Sequence, residues 1–173
     1  MILYFNGDNH TLAAQATNMF ISAKDDPTQW HLENRAHPDN LAISWGVKLA
    51  KLLKMQYETS AVANQANDDI MLSISDWLDA KTNTLGDEIF MVIGWTNDDP
   101  IIKDTSKYLN SLGIKHIFFL TNGTNEVCIT PTYLDHLKEL NIETEFNSKY
   151  YGPDAHSAWA KYLLLYIAKQ GLL

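Results

Sequence analysis

Four short polar segments hold the residues of this chain that could do chemistry. The first, Asn6-Gly7-Asp8-Asn9-His10-Thr11, places a carboxylate, an amide and an imidazole beside a glycine that permits a tight turn. A helix beginning just after it would turn unpaired backbone N–H groups toward an anion. The plainer reading is an Asp or Asn helix cap with a solvated histidine. The second, Ala63-Asn64-Gln65-Ala66-Asn67-Asp68-Asp69, is a polar knot in which Asn67 or Asp68 could serve only as an N-cap. In the third, Gly94-Trp95-Thr96-Asn97-Asp98-Asp99, a side-chain amide could donate to a developing oxyanion where Gly94 lets the backbone approach a ligand. A turn with local Asn and Asp hydrogen bonds is its alternative. The fourth, Gly152-Pro153-Asp154-Ala155-His156-Ser157-Ala158-Trp159, sets a histidine near a carboxylate, as a general base and its orienting partner require. Asp154 as a helix cap and His156 on an exposed first turn would explain the same residues.

These segments need a scaffold to bring them together. Short apolar runs rich in β-branched and aromatic residues predict strands at 2–5, 89–93 and 117–120, with thinner signals at 56–62 and 142–146. Helical spacing predicts helices at 11–21, 41–53, 68–80, 101–112, 131–140 and 157–169. In the second of these Leu41, Trp45, Leu49, Leu52 and Leu53 form one apolar face, and in the fifth Thr130 is a cap with Pro131 at the first helical position. Strands alternating with helices imply an α/β fold, a three-layer α/β/α sandwich around a mostly parallel five-stranded sheet, in a single domain spanning 1–173. Ligands of such sheets bind beyond the carboxyl ends of the strands, where the strand order reverses. That edge is where the polar segments fall.

The bulk properties narrow the partners. At 173 residues, with 46% hydrophobic and 20% charged content, the chain reads as one ordinary globular domain. A formal charge of −8 with scattered Lys and Arg disfavours nucleic acid. Cys128 is the single cysteine, as expected in a reducing compartment. The opening Met1-Ile2-Leu3-Tyr4-Phe5 is too short for a signal-peptide core, and no stretch approaches the ~20 apolar residues of a membrane span. The expectation is a cytoplasmic protein with no membrane partner. The six histidines lack metal-binding spacing, so no metal and no cofactor are expected, and the sequence leaves the oligomeric state open.

The order and spacing of the four segments resemble the motif blocks of SGNH (GDSL-type) hydrolases over almost the whole chain. The quoted features are Gly7-Asp8-Asn9-His10-Thr11 after the first strand, Asn67-Asp68-Asp69-Ile70 after the second, the Gly94-led loop after the third, and the Asp154/His156 pair before the last helix. The chain is most similar to small SGNH-like proteins encoded by phages, an impression to which His37-Pro38-Asp39-Asn40 and Ser44-Trp45 add, and the location would then be the host cytoplasm. The resemblance implies a flavodoxin-like α/β fold. In that family a first-block serine is the nucleophile, its N–H joins a second-block glycine N–H and a third-block asparagine amide in an oxyanion hole, and the last block supplies Asp and His. Carried over, the serine position holds Asn9, the glycine falls near Asn64, and Thr96 takes the asparagine position with Asn97 one residue late. Pro153 stands where the acid belongs and Asp154 lies one residue after it, so His156 alone is in register.

An amide nitrogen is a poor nucleophile, so the acyl-enzyme route is closed at Asn9. The resemblance therefore implies a catalytically impaired protein that binds a small ester, an acetylated sugar, an anion or a partner. Its catalytic-position residues would be Asp8, Asn9, Asp154 and His156, and its oxyanion or ligand-binding residues His10, Asn64, Gly94, Trp95, Thr96 and Asn97. One alternative is a working ester hydrolase, acting on carbohydrate or lipid esters, in which His156 activates water or Thr96 or Ser157 replaces the nucleophile. Another is a metal-dependent hydrolase drawing on His10, His37, Asp8, Asp154 and His156.

Overall fold

The computed structural model describes residues 1–8, 10–11, 38–61, 65–81, 88–144 and 151–173, with backbone alone at 38–40. Four strands, β1 (Ile2–Asn6), β2 (Gln56–Thr59), β3 (Ile89–Trp95) and β4 (Lys115–Leu120), form one sheet in the order β2-β1-β3-β4. Every pairing is parallel, with Phe5 opposite both Thr59 and Val92, and Gly94 opposite Phe119. The described helices are α1 (Pro38–Ile43), α2 (Trp45–Leu53), α3 (Asn67–Ala80), α4 (Pro100–Ser111), α5 (Tyr133–Glu139) and α6 (Pro153–Gln170).

The period of two along each strand divides the sheet between two apolar layers. Leu3, Phe5, Phe90, Val92, Ile117 and Phe119 pack on α2, α5 and α6 through Trp45, Leu49, Tyr133, Leu137, Trp159 and Leu163. On the other face Tyr4, Met91, Ile93, Trp95, Phe118 and Leu120 pack on α3 and α4 through Ile70, Ile74, Leu78, Ile102 and Leu109. The result is the expected three-layer α/β/α sandwich, built on strands buried on both faces as parallel sheets require.

Several elements differ from the sequence expectation. The sheet has four strands among the described residues instead of five. Residues 142–144 form no strand, since Ile142 turns back to donate its N–H to Leu137 at the end of α5, and residues 145–146 lie outside the described set. The helix expected over 41–53 is two helices. Ser44 leaves helical geometry (ψ 150°), accepts from the Val47 N–H at 3.3 Å and donates to the Leu41 carbonyl at 2.8 Å. Because the apolar spacing continues across Ser44, periodicity could not reveal the break. Helix α5 begins at Tyr133 instead of Pro131, with Thr132 as its cap accepting from the Asp135 N–H at 3.1 Å, and the Thr130–Pro131 bond is cis. Helix α6 starts four residues earlier than expected, with Pro153 in its first turn. Beyond Thr11, the helix expected over 11–21 lies outside the described residues, as do Asn9, His37 and Asn64.

Gly46 lets α2 settle on the sheet. A Cβ there would sit 2.4 to 2.5 Å from three ring atoms of Phe5, a side chain with no exposed surface. Gly46→Ala gains ~1 kcal/mol of helix propensity but incurs ~1–3 kcal/mol of overpacking against a ring that cannot withdraw. The expected outcome is a net loss of stability, read as a lower urea midpoint with unchanged m-value; an equal or higher midpoint would show that α2 does not pack this closely.

Candidate functional site

The chain runs from β1 outward to β2, then crosses to β3 on the other side of β1, so the strand order reverses between β1 and β3. The β1 and β3 loops meet at that edge. Gly7 has φ 153°, and a Cβ on it would lie 2.1 Å from Thr11 Oγ1 and 2.9 Å from the Gly94 carbonyl. A Cβ on Gly94 would strike the Phe119 ring at 2.6 Å and approach Thr11 Oγ1 at 3.1 Å. Only glycine fits at either position, and the buried Thr11 hydroxyl is wedged between the two loops.

Asn6 anchors the end of β1. Fully buried, it donates from Nδ2 to Tyr4 Oη at 3.0 Å and Ser73 Oγ at 2.7 Å, and its Oδ1 accepts from the Gly7 N–H at 2.8 Å. Asp8 follows in a short turn. Its carboxylate accepts from the His10 N–H at 3.0 Å and its carbonyl from the Thr11 N–H at 3.0 Å. Burial pushes the Asp8 carboxyl above the usual range, against the pull of His10 and these N–H groups. His10 is half-buried, its ring 5.5 Å from that of Tyr133 and 6.4 Å from that of Tyr151. The solvated histidine of the plain reading is thus an aromatic-packed one.

Tyr133 joins the first segment to the last, for its ring also lies 6.3 Å from that of His156. Its hydroxyl is buried with no hydrogen-bond partner among the described residues, and burial, Tyr151 and Asp8 together hold its pKa far above the usual tyrosine value. No signal in the sequence separated Tyr133 from an ordinary core aromatic.

His156 is the residue whose chemistry the fold determines most tightly. It is 1% exposed, and its Nδ1 accepts a hydrogen bond from the Trp45 backbone N–H at 3.2 Å. Trp45 opens α2, where the first N–H groups lack partners inside the helix, so the imidazole lone pair caps α2 from a helix 111 residues away. An Nδ1 that accepts places the ring proton on Nε2. Burial, with the charges of His10 and Lys48, lowers the His156 pKa to about 3. The ring is therefore neutral, with a donor at Nε2.

Asp154 stands apart from this histidine. Because α6 begins at Pro153, Asp154 and His156 are both helical and two residues apart, a rotation of about 200° around the axis. Asp154 is exposed while His156 is buried. Ser157 belongs to yet another face, donating to the Pro153 carbonyl at 2.9 Å and accepting from Lys48 Nζ.

The third segment closes on itself. Buried Asn67 donates to the Asn97 carbonyl at 2.9 Å, and its Oδ1 accepts from the Thr96 N–H at 3.0 Å and the Thr96 hydroxyl at 2.8 Å. The same hydroxyl lies 2.7 Å from Asn97 Oδ1, and Asn97 is exposed. Asn67, which with Asp68 could have been no more than a cap, ties the start of α3 to the β3 loop. Trp95 has no exposed surface and stacks edge-on against Phe118 on the α3 and α4 side, so it is core rather than ligand wall.

Other reactive groups lie elsewhere. His116 Nε2 meets Ser106 Oγ at 2.9 Å and its Nδ1 meets the Ile114 carbonyl at 2.9 Å, but this contact sits at the start of β4 and ties α4 to the opposite edge of the sheet. Sequence spacing did not single it out. Burial and Asp98 push the Cys128 thiol up to about 12. No three His, Cys, Asp or Glu side chains gather for a metal among the described residues, and no described helix is long and apolar enough to cross a membrane.

No protein-family model matches the sequence, and no curated protein matches it. Among solved structures, a G-D-S-L family protein from Desulfitobacterium hafniense DCB-2, assigned as lipolytic, aligns with a TM-score of 0.60 at 13% sequence identity. The alignment covers 94% of this chain and 97% of that one. The shared feature at this identity is the fold: a parallel sheet flanked by helices, as in the GDSL (SGNH) hydrolases.

The His156 geometry has a measurable pH signature. An unfolded histidine gains a proton as pH falls through about 6.5, whereas folded His156 resists until about 3, so its contribution is complete above 6.5 and is lost as pH falls through that window. The slope is ~1.4 kcal/mol per pH unit. His156→Gln keeps an acceptor for Trp45 but does not titrate. Urea stability measured from pH 7 to pH 4.5 should fall more steeply in the wild type than in this variant, and parallel curves would refute the buried neutral histidine. Asp8, whose raised pKa acts with the opposite sign, is common to both proteins and cancels in the comparison.

Proposed function

We propose that this chain is an SGNH-fold protein that binds a small ester, acetylated sugar or comparable acceptor-bearing ligand at the β1–β3 edge without hydrolysing it through an acyl-enzyme. The observation that carries this reading is the Trp45 N–H bond to His156 Nδ1. In a serine hydrolase the histidine needs a lone pair on the nitrogen facing the nucleophile and a proton on the other. Here the lone pair is committed to a helix N-terminus, and the remaining nitrogen carries the proton.

The other machinery argues the same way. Asn9 offers no hydroxyl, the Thr96 hydroxyl is held against two amide oxygens, and Ser157 lies on a different face of α6 from His156. Binding at this edge is supported by its place in the fold, where the strand order reverses between β1 and β3. The Tyr133 hydroxyl, like the indole N–H groups of Trp45, Trp95 and Trp159, is buried without a partner among the described residues. A ligand carbonyl or hydroxyl that opened the packing over it would recover part of the ~1–3 kcal/mol which an unsatisfied buried donor costs.

The purified protein should show only background hydrolysis of p-nitrophenyl acetate and butyrate, and Asn9→Ser should stay at background, because a serine without its base loses ~10⁶-fold in rate. A peracetylated xyloside should shift the backbone amide resonances of Gly7, His10 and Tyr151 in an NMR titration. Brisk wild-type turnover abolished by His156→Ala, or strong activation by Asn9→Ser, would overturn the non-hydrolytic reading. Unmoved amides would overturn the binding one.

A further inference from the structure

Helices α2 and α6 pack side by side, and their outward seam forms a groove of about 350 Å³ lined by Lys48, Lys51, Leu52, Ser157, Ala160 and Lys161. Three ammonium groups line it and no carboxylate does, in a chain with 13 basic and 21 acidic residues. Among the described residues none of the three lysines forms an ion pair, in contrast with Lys81, Lys103 and Lys107.

Lys48 is positioned within this groove. Its Nζ donates to the Pro153 carbonyl at 3.1 Å and to Ser157 Oγ, both at the first turn of α6. Partial burial, with Lys51 and Lys161 nearby, makes its charge less favourable than in water, and only Asp154 acts in the opposite sense. Clustered like charges beside a low-dielectric wall attract an anion. The wall is apolar: Ala160 is fully buried and Leu52 is 45% exposed. Ser157 and Lys161 also border a second groove of about 410 Å³ lined by His136, Leu140, Asp154, Ala158, Tyr162 and Leu165, with Leu165 69% exposed. Apolar surface therefore continues on the far side of the Lys161 stem.

We propose that the α2–α6 groove binds the anionic head of a small amphiphile, a phosphate or carboxylate bearing an alkyl chain. The lysines supply point charges for the head, the chain covers the exposed part of Leu52, and this site is separate from the β1–β3 edge. The volume lies at the small end of ligand pockets, which suits a head group and a few methylenes.

Calorimetric titration with hexyl phosphate, inorganic phosphate and hexanol tests the assignment. Hexyl phosphate should bind more tightly than inorganic phosphate, hexanol should not bind measurably, and Lys51→Gln/Lys161→Gln should weaken hexyl phosphate by about tenfold while leaving the thermal midpoint unchanged. Equal binding of hexanol, or an undiminished double variant, would overturn the proposal. Sedimentation with vesicles of phosphatidylcholine alone or with phosphatidic acid separates the sources. Co-sedimentation with the acidic vesicles that the double variant loses assigns a lipid headgroup, whereas hexyl phosphate binding without it assigns a free anion.

Discussion

The hydrogen bond from the Trp45 backbone to His156 Nδ1 joins the first turns of α2 and α6, two helices that cover the same face of the sheet. Both partners are buried, so the bond must be satisfied on both sides. A lost acceptor would leave the Trp45 N–H stranded in the core at a cost of ~1–3 kcal/mol. A protonated ring could not accept it at all, and would place positive charge at the positive end of a helix dipole. One contact thus holds two helices, selects the tautomer and keeps the histidine neutral. These are the demands of a helix cap.

The close approach of the β1 and β3 loops works on a different principle. Gly7 and Gly94 remove the side chains that would separate the loops, and Thr11 fills the space between them. Asn6 and Asn67 then satisfy the polar groups that this approach buries, Asn6 toward α3 and Asn67 toward the β3 loop. The edge keeps the geometry in which α/β proteins bind ligands, although most of its side-chain hydrogen-bonding capacity is spent internally. Among the described residues the buried Tyr133 hydroxyl has no partner, and neither do the indole N–H groups of Trp45, Trp95 and Trp159.

Charge is distributed unevenly over this acidic chain. Glu58 pairs with Lys81 and Trp77 beside β2, and Glu126 pairs with Lys103 at the surface, so several lysines are already neutralised. Lys48, Lys51 and Lys161 are different because they line one groove whose lining includes no carboxylate, with Asp154 in the adjoining one. The sheet edge and this helical seam are thus chemically distinct surfaces, one rich in amides and aromatic rings and the other cationic over aliphatic carbon.

Much of the framework was legible in the amino-acid order. Strands β1, β3 and β4 and the bodies of the helices follow from apolar periodicity, because parallel strands buried on both faces and amphipathic helices each leave a strong local pattern. The glycines at the β1–β3 edge were legible as turn and approach positions for the same local reason. What periodicity could not carry was any feature that turns on a terminus or a distant partner. Ser44 interrupts a helix without interrupting its apolar spacing, and the early start of α6 rotates Asp154 away from His156 although the two are neighbours in the chain. The hydrogen-bond partner of His156 was decided only by tertiary structure: its residue type is equally suited to base or cap, and a backbone N–H 111 positions away leaves no mark in sequence.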